Sequence, residues 1–326
     1  MPQPRLKWGL LSTARINRHL IPAIRASERA ELVAVASRDL DHARHYAAEW
    51  QIPRAHGSYE ALLADPEVDA VYISLPNSLH VAWTVAAARA GKHVLCEKPL
   101  DTSVAGCDEI LSAAAEAGTV AAEASMHLYH PLMHRARELV QHGDLGRPAL
   151  VRGAFSFLLD RPGDVRWRPE LGGGSLWDVG CYPVSLIRWM AGEPQEVFGW
   201  QQLVQTGVDG TFGGLLRYES GLLGAFDCGF CGQYRIQAEV VGSEGVLAIE
   251  RPYALDHTSR LLLRRGHDEE EVRVPKANPY QCEVEAVADA ALEGSPLPVP
   301  LSFSRANVAT LAALYRSAQL NQPVRL

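Results

Sequence analysis

The chain has 326 residues, enough for two domains that each bury a core, so a disulfide-stapled miniature or a single small binding module is excluded. Hydrophobic residues make up 47% and charged residues 21%, the balance of a folded chain rather than a disordered one. Thirty-one Lys and Arg against 38 Asp and Glu leave a net charge of −7, so the chain as a whole carries no footprint for a nucleic-acid backbone, while a local basic pocket stays open.

Six cysteines scattered through a chain of this size lack the density of a secreted disulfide framework, and a reduced cytoplasm is expected. Met1-Pro2-Gln3-Pro4-Arg5 leads straight into a strand-like segment without the succession of a signal peptide. No run approaches the roughly 18 uncharged apolar residues of a membrane span.

In chain order, apolar runs at 6–11, 32–36, 70–75, 93–96 and 120–122 alternate with amphipathic stretches at 16–25, 41–50, 78–90 and 103–117. Parallel strands need such crossovers, so residues 1–125 are expected to form a Rossmann-type, doubly wound parallel sheet. From 126 to 326 the texture changes. Strand-like segments at 149–158, 196–203, 213–218, 222–228, 236–241 and 246–250 follow one another without helices, with Glu219-Ser220-Gly221 and Gly242-Ser243-Glu244-Gly245 as hairpin connections. Two helical stretches, 280–292 and 304–319, close the chain. The fold class expected is α/β, with an α+β second domain built on a mainly antiparallel sheet.

Gly9-Leu10-Leu11-Ser12-Thr13-Ala14-Arg15-Ile16 stands between the first strand and the first helix, where a dinucleotide turn belongs. One glycine of the usual set is present, with small Ser12 and Ala14 at turn positions; the segment reads equally as an ordinary strand-to-helix turn. Ser37-Arg38 ends the second strand, where an NAD site usually places a carboxylate for the ribose 2′-OH. A guanidinium can pair bidentately with a 2′-phosphate and Ser37 adds a hydroxyl, so NADP is expected over NAD. Asp39 reads as the N-cap of the next helix.

Leu75-Pro76-Asn77-Ser78-Leu79-His80 and Cys96-Glu97-Lys98-Pro99-Leu100 follow the third and fourth runs, at strand ends where ligands collect in parallel sheets. A third cluster, from Gly172-Gly173-Gly174-Ser175 to Asp178-Val179-Gly180-Cys181-Tyr182, lies in the second half. Some signals lead nowhere. Cys228-Gly229-Phe230-Cys231 lies in a strand-like region and reads as buried structural cysteine, Asp268-Glu269-Glu270-Glu271 as a solvated turn, and His42, His45, His134 and His142 lack metal-site spacing.

With these clusters and the motifs around them, from Trp8-Gly9 through Gly91-Lys92-His93 and Glu97-Lys98-Pro99 to Asn278-Pro279-Tyr280, the chain resembles the Gfo/Idh/MocA oxidoreductases over nearly its whole length. Within that family it is similar to the NADP-dependent sugar and dihydrodiol dehydrogenase and glucose–fructose oxidoreductase branch. The resemblance implies an N-terminal nicotinamide-binding domain over 1–125, and over 126–326 a substrate and oligomerisation domain with a large open sheet, often used to form dimers. It implies cofactor contacts from Gly9, Ser12, Thr13, Ala14, Arg15 and Ile16, from Ser37 and Arg38, from Leu75, Pro76, Asn77 and His80, and from Glu97 and Lys98. It further implies that Lys98 lies near the nicotinamide and that Tyr182, with Asp178, faces it. His80 is open between contacting the cofactor and shaping its turn.

The activity implied is hydride transfer between NADP and a sugar, cyclic polyol or dihydrodiol. The alternatives are a sugar–sugar oxidoreductase with retained cofactor and a non-catalytic NADP-sensing binding protein. Tyr182 is the expected proton shuttle, with Lys98 as electrostatic partner and Asp178 orienting the hydroxyl or the sugar. Some relatives carry His where Tyr182 stands, which makes Lys98 a rival. Met126-His127-Leu128-Tyr129-His130-Pro131 has Leu128 where relatives commonly show Arg. His127, His130 and Arg166 are expected to line the substrate pocket. A homodimer is expected, with no nucleic-acid, membrane or metal partner.

Overall fold

The computed structural model describes residues 4–256 and 258–326; Met1, Pro2 and Gln3, part of the leader reading above, and His257 lie outside them. Two compact units result. One comprises residues 1–126 and 278–305, the other 127–277 and 306–326. Residues 278–305, which the sequence reading keeps with the second half, belong to the first unit.

The first unit is built on a six-stranded parallel sheet of β1 Leu6–Leu11, β2 Ala30–Ala36, β3 Arg54–His56, β4 Ala70–Ile73, β5 His93–Glu97 and β6 Ala121–Ala124, in the order β3-β2-β1-β4-β5-β6. The connecting helices are α1 Asn17–Ala26, α2 Leu40–Glu49, α3 Tyr59–Leu63, α4 His80–Arg89 and α5 Val104–Ala117. Strands covered on both faces read as near-continuous apolar runs, and β1 and β2 do so apart from Lys7 and Glu31 near their starts. β3, only three half-buried residues, has no such signature and is absent from the sequence reading. Local chemistry sets the helix ends: Asp39, Ser58 and Ser103 cap α2, α3 and α5 through side-chain oxygens, and Gly118 ends α5 in the left-handed conformation. Beyond the second unit's segment, α9 Pro279–Glu293 returns to this core, packing Val284 and Val287 with Trp8, Leu10, Tyr72 and Leu95.

The second unit carries the short α6 Met126–Tyr129 from its second residue onward, then α7 Pro131–His142 and α8 Cys181–Ala191. Of α10 Leu301–Leu320, it holds the part beyond residue 305. Its sheet has nine strands: β7 Pro148–Leu158, β8 Glu196–Leu203, β9 Asp209–Arg217, β10 Leu223–Gly229, β11 Cys231–Gly242, β12 Val246–Glu250, β13 Leu261–Arg265, β14 Asp268–Glu271 and β15 Val324–Arg325. All neighbours are antiparallel except β7 with β10, and both expected hairpins form. Two readings are corrected. Asp268–Glu271 is an edge strand paired to β13, its exposed carboxylates facing water as an edge requires. Cys228 is buried but Cys231 is exposed.

On one face of this sheet α8 and α10 pack closely: a Cβ on Gly199 would stand 2.6 Å from the Leu314 carbonyl. On the other face Trp200, Leu215 and Leu223 are exposed, at 64%, 50% and 47%. Among the described residues no helix is long and apolar enough to cross a membrane, and no cluster of His, Cys, Asp or Glu could hold a metal ion.

Candidate active site

In the first unit, the ends of β1, β2, β4 and β5 meet where strand order reverses about β1, the place parallel sheets reserve for ligands. The turn after β1 is tied down by a buried network. Ser12 Oγ lies 2.7 Å from Ser74 Oγ and accepts from the Ala14 amide at 3.1 Å; Asn17 Nδ2 donates to the Ser12 carbonyl at 2.8 Å, and Ser74 Oγ to Asn17 Oδ1 at 2.8 Å. These bonds hold Ser12 at φ 154°, a conformation that usually selects glycine. Thr13, Ala14 and Ile16 are half-buried and Arg15 is exposed. No side chain caps the first turn of α1; the Asn17, Arg18 and His19 amides donate to the Ala14, Arg15 and Ile16 carbonyls, and the positive end of the helix dipole points at the turn. Gly9 is needed for packing: a Cβ there would stand 2.8 Å from Leu62.

At the end of β2, Ser37 is half-buried and Arg38 exposed. Asp39 Oδ1 accepts from the His42 amide at 2.8 Å, as expected of an N-cap, which occupies that carboxylate with α2. Leu75, Pro76 and Asn77 lie half-buried where β4 enters a single 3₁₀ turn.

His80 does not have the expected contact surface. It is fully buried, its ring nitrogens 2.8 Å from the Pro99 carbonyl and 2.9 Å from the Leu75 carbonyl. Burial lowers its pKa, and a neutral ring donates to only one of the two. His80 therefore shapes the turn, joining the loop after β4 to the loop after β5. Lys98 is half-buried at the end of β5. Glu97 Oε1 accepts from the Tyr72 hydroxyl, and Glu97 Oε2 from the Lys98 amide at 3.3 Å. Glu123, fully buried, accepts from the Leu100 amide at 2.7 Å and from Ser125 Oγ at 2.9 Å, while burial pushes its carboxyl up. Tyr72 and Glu123 escape the sequence reading; a glutamate inside the apolar β6 was the available signal.

In the second unit, Leu176–Gly180 forms a π-helical turn that runs directly into α8, with Asp178 in the turn and Tyr182 in the first turn of α8. Four residues apart on one helical segment, they share a face. Arg166, in a 3₁₀ turn, donates from Nε to Asp178 Oδ2 at 2.6 Å and from Nη1 to Asp164 Oδ1 at 3.2 Å. The Asp178 charge holds the guanidinium well above its ordinary pKa against the cost of burial. Arg166, expected at the substrate, is thus committed to fixing Asp178.

The Tyr182 ring is half-buried among His127, Phe155 and Tyr253, at centroid distances of 5.1, 5.3 and 5.5 Å. His127 is 1% exposed, with Nε2 3.2 Å from Ser185 Oγ, which donates to the Tyr182 carbonyl at 2.9 Å. It packs against the Tyr182 ring and is tied to its backbone through Ser185. His130 caps α7 through the Leu132 amide and reaches the Ala277 carbonyl at 3.2 Å, so it too is structural. Leu128 is fully buried, a place where an arginine would have needed a partner.

A parallel sheet with an uncapped helix at its switch point, joined in one chain to an open-sheet unit bearing a Tyr and a fixed Asp, defines a two-domain oxidoreductase of the dinucleotide-binding class. Residues 6–125 match the family model described as "Oxidoreductase family, NAD-binding Rossmann fold", and residues 133–248 the "GFO/IDH/MocA C-terminal domain". The chain belongs to the GFO/IDH/MocA oxidoreductase family. It is 40% identical to "D-xylose 1-dehydrogenase (NADP(+)) 2" of Haloferax volcanii over 98% of this chain and 100% of that one. It is 33% identical to the mouse (Mus musculus) trans-1,2-dihydrobenzene-1,2-diol dehydrogenase over 76% of each chain. The solved structure of KijD10, a 3-ketoreductase from Actinomadura kijaniata in complex with NADP and TDP-benzene, matches with a TM-score of 0.90 at 28% identity, covering 96% of this chain and 98% of that one.

Proposed function

We propose that this protein is an NADP-dependent dehydrogenase that oxidises, or in reverse forms, a secondary alcohol or hemiacetal of a sugar, cyclic polyol or dihydrodiol. The observation that carries the reading is the shared face of Asp178 and Tyr182, with Asp178 locked by Arg166. NADP, when bound, supplies the hydride acceptor or donor. The residues of the first unit fit it. The turn around Ser12 and Ala14 is small enough for close backbone approach to a pyrophosphate, the dipole of α1 suits its charge, and Arg38 and Ser37 offer donors to a 2′-phosphate.

Tyr182 takes the hydroxyl proton as the alcohol is oxidised and returns it in reduction. A phenol with a reference pKa of about 10 is a poor base at neutral pH, and a cation favours its ionised form, the role we assign to Lys98. His127, Phe155 and Tyr253 restrict the ring so that the hydroxyl is presented in one direction. Asp178, held in place by Arg166, accepts a hydrogen bond from the substrate and orients it.

NADP reduction followed at 340 nm across aldoses, inositols, anhydrosugars and vicinal diols tests the reading. Tyr182→Phe should lower kcat on the active substrate by about 10²–10⁴-fold with NADP binding unchanged, the range of general acid–base catalysis. Near-full turnover in that variant would move the proton to Lys98.

We infer that the protein works in the cytoplasm as a homodimer joined through the open sheet face that exposes Trp200, Leu215 and Leu223. Light scattering on the intact protein and on Trp200→Glu checks the assembly; a wild-type monomer would refute it.

A further inference from the structure

A helical segment begins with N–H groups that need acceptors, and the segment bearing Asp178 and Tyr182 takes its acceptor from far along the chain. Ser175, at its N-cap position, makes no side-chain bond to its own helix. Instead Ser175 Oγ donates to Asp209 Oδ2 at 2.6 Å, and the Leu176 amide donates to the same oxygen at 2.8 Å. The other oxygen, Oδ1, accepts from the Tyr315 hydroxyl of α10 at 2.5 Å. Asp209 opens β9 and is 2% exposed, and Ser175 is fully buried. Three donors converge on one carboxylate at the positive end of a helical segment, which offsets the cost of burying it.

The glycines before the segment are cut to this clamp. Gly174 has φ +121°, and a Cβ there would stand 2.4 Å from Asp209 Oδ1 and 2.7 Å from the Tyr315 hydroxyl oxygen. A Cβ on Gly173 would stand 2.5 Å from the Arg166 carbonyl oxygen, and the Gly174 amide donates to that carbonyl at 3.0 Å. One turn is thereby pinned to Asp209 on one side and, on the other, to the residue whose guanidinium holds Asp178.

We propose that Asp209, acting with Ser175 and Tyr315, is the positioning residue that sets where this helical segment starts, and therefore where Asp178 and Tyr182 point. Each residue turns about 100° in an α-helix and somewhat less in a π turn, so a slip of one position at the start would swing both side chains off their face. A misplacement of about 1 Å can cost about 10² in rate. None of the three clamp residues is assigned contact with substrate or cofactor; they act through the segment. The inference rests on the reading of Tyr182 and Asp178 given above.

The test compares Tyr182→Phe, Asp209→Ala, Asp209→Asn and Tyr315→Phe on the intact protein, using NADP and D-xylose or the panel alcohol with the highest kcat/KM. Asp209→Ala should lower kcat by roughly 30–100-fold, with the Kd for NADP unchanged and a larger isotope effect for substrate deuterated at the oxidised carbon. Asp209→Asn keeps an oxygen for Ser175 and Leu176 and an NH₂ for Tyr315, so it should recover kcat to within about five-fold of wild type. Tyr315→Phe should lower kcat by about five-fold. If Asp209→Ala is insoluble, Tyr315→Phe and Ser175→Ala decide the matter. Loss of kcat in Tyr182→Phe combined with unchanged kcat in the clamp variants, or no recovery in Asp209→Asn, overturns the positioning role alone. Unchanged kcat in Tyr182→Phe overturns the underlying reading, and this inference with it.

Discussion

Replacing Arg38 by Asp gives the sharpest test of cofactor choice. Arg38 is exposed and Asp39 is spent on capping α2, so the guanidinium is the charge this loop presents. A bidentate guanidinium–phosphate pair is among the stronger charge-assisted hydrogen bonds, but solvent screening at an exposed position cuts it to about 1–2 kcal/mol. Asp removes that and adds repulsion of roughly 1 kcal/mol, so the loss in NADP affinity should be about 30–150-fold, at tenfold per 1.4 kcal/mol. NAD lacks the 2′-phosphate, and its affinity should change by less than about threefold on the same scale. Fluorescence titration with both reduced cofactors measures this at low and high salt, and the wild-type preference should shrink as salt screens the pair. Equal weakening of both cofactors, or an unchanged NADP affinity, would refute the assignment of Arg38.

The remaining predictions concern stability and reactivity. Glu283 is fully buried with no hydrogen-bond partner for either carboxylate oxygen, and burial, then the Glu97 charge, pushes its carboxyl well above the usual range. A raised folded pKa gives stability that is fully present below the unfolded value of about 4.3 and lost as pH rises through the folded value. Glu283→Gln should therefore match wild type near pH 4 and melt at a higher temperature at about pH 8; melting curves that stay parallel across that range would contradict it. Gly174→Ala should lower stability by about 3 kcal/mol, read in urea, because the new Cβ meets Asp209 and Tyr315 at an unfavourable φ. In the native protein a thiol reagent should modify Cys231 first. Cys282, half-buried with its pKa pushed up to about 11, should follow slowly, and Cys96, Cys107, Cys181 and Cys228, all buried, only on unfolding. Labelling of Cys107, whose pKa burial raises to about 12, at the rate of Cys231 would refute that order.

Strand runs such as 6–11 and 70–75 were legible because a covered parallel strand is apolar over most of its length, and the hairpins because Gly and Ser mark their turns. Asp39 was readable as a cap because capping is settled within three residues. For the opposite reason the histidines were not legible: His80 stayed open between two roles, and His127 and His130 were expected at the substrate. His80, His127 and His130 look alike as polar side chains beside expected loops, and their burial depends on carbonyls and hydroxyls supplied by Pro99, Ser185 and Ala277.

Periodicity and turn chemistry, which are properties of neighbouring residues, by themselves determined the parallel sheet and the mainly antiparallel sheet. Tertiary structure alone decided that α9 joins the first core, that Arg166 holds Asp178, and that Asp209 and Tyr315 close on the start of the segment carrying Tyr182. Asp209 lies 34 residues from Ser175 and 106 from Tyr315. No local pattern encodes partners at such separations; they become neighbours only when burial of the apolar faces brings their elements together.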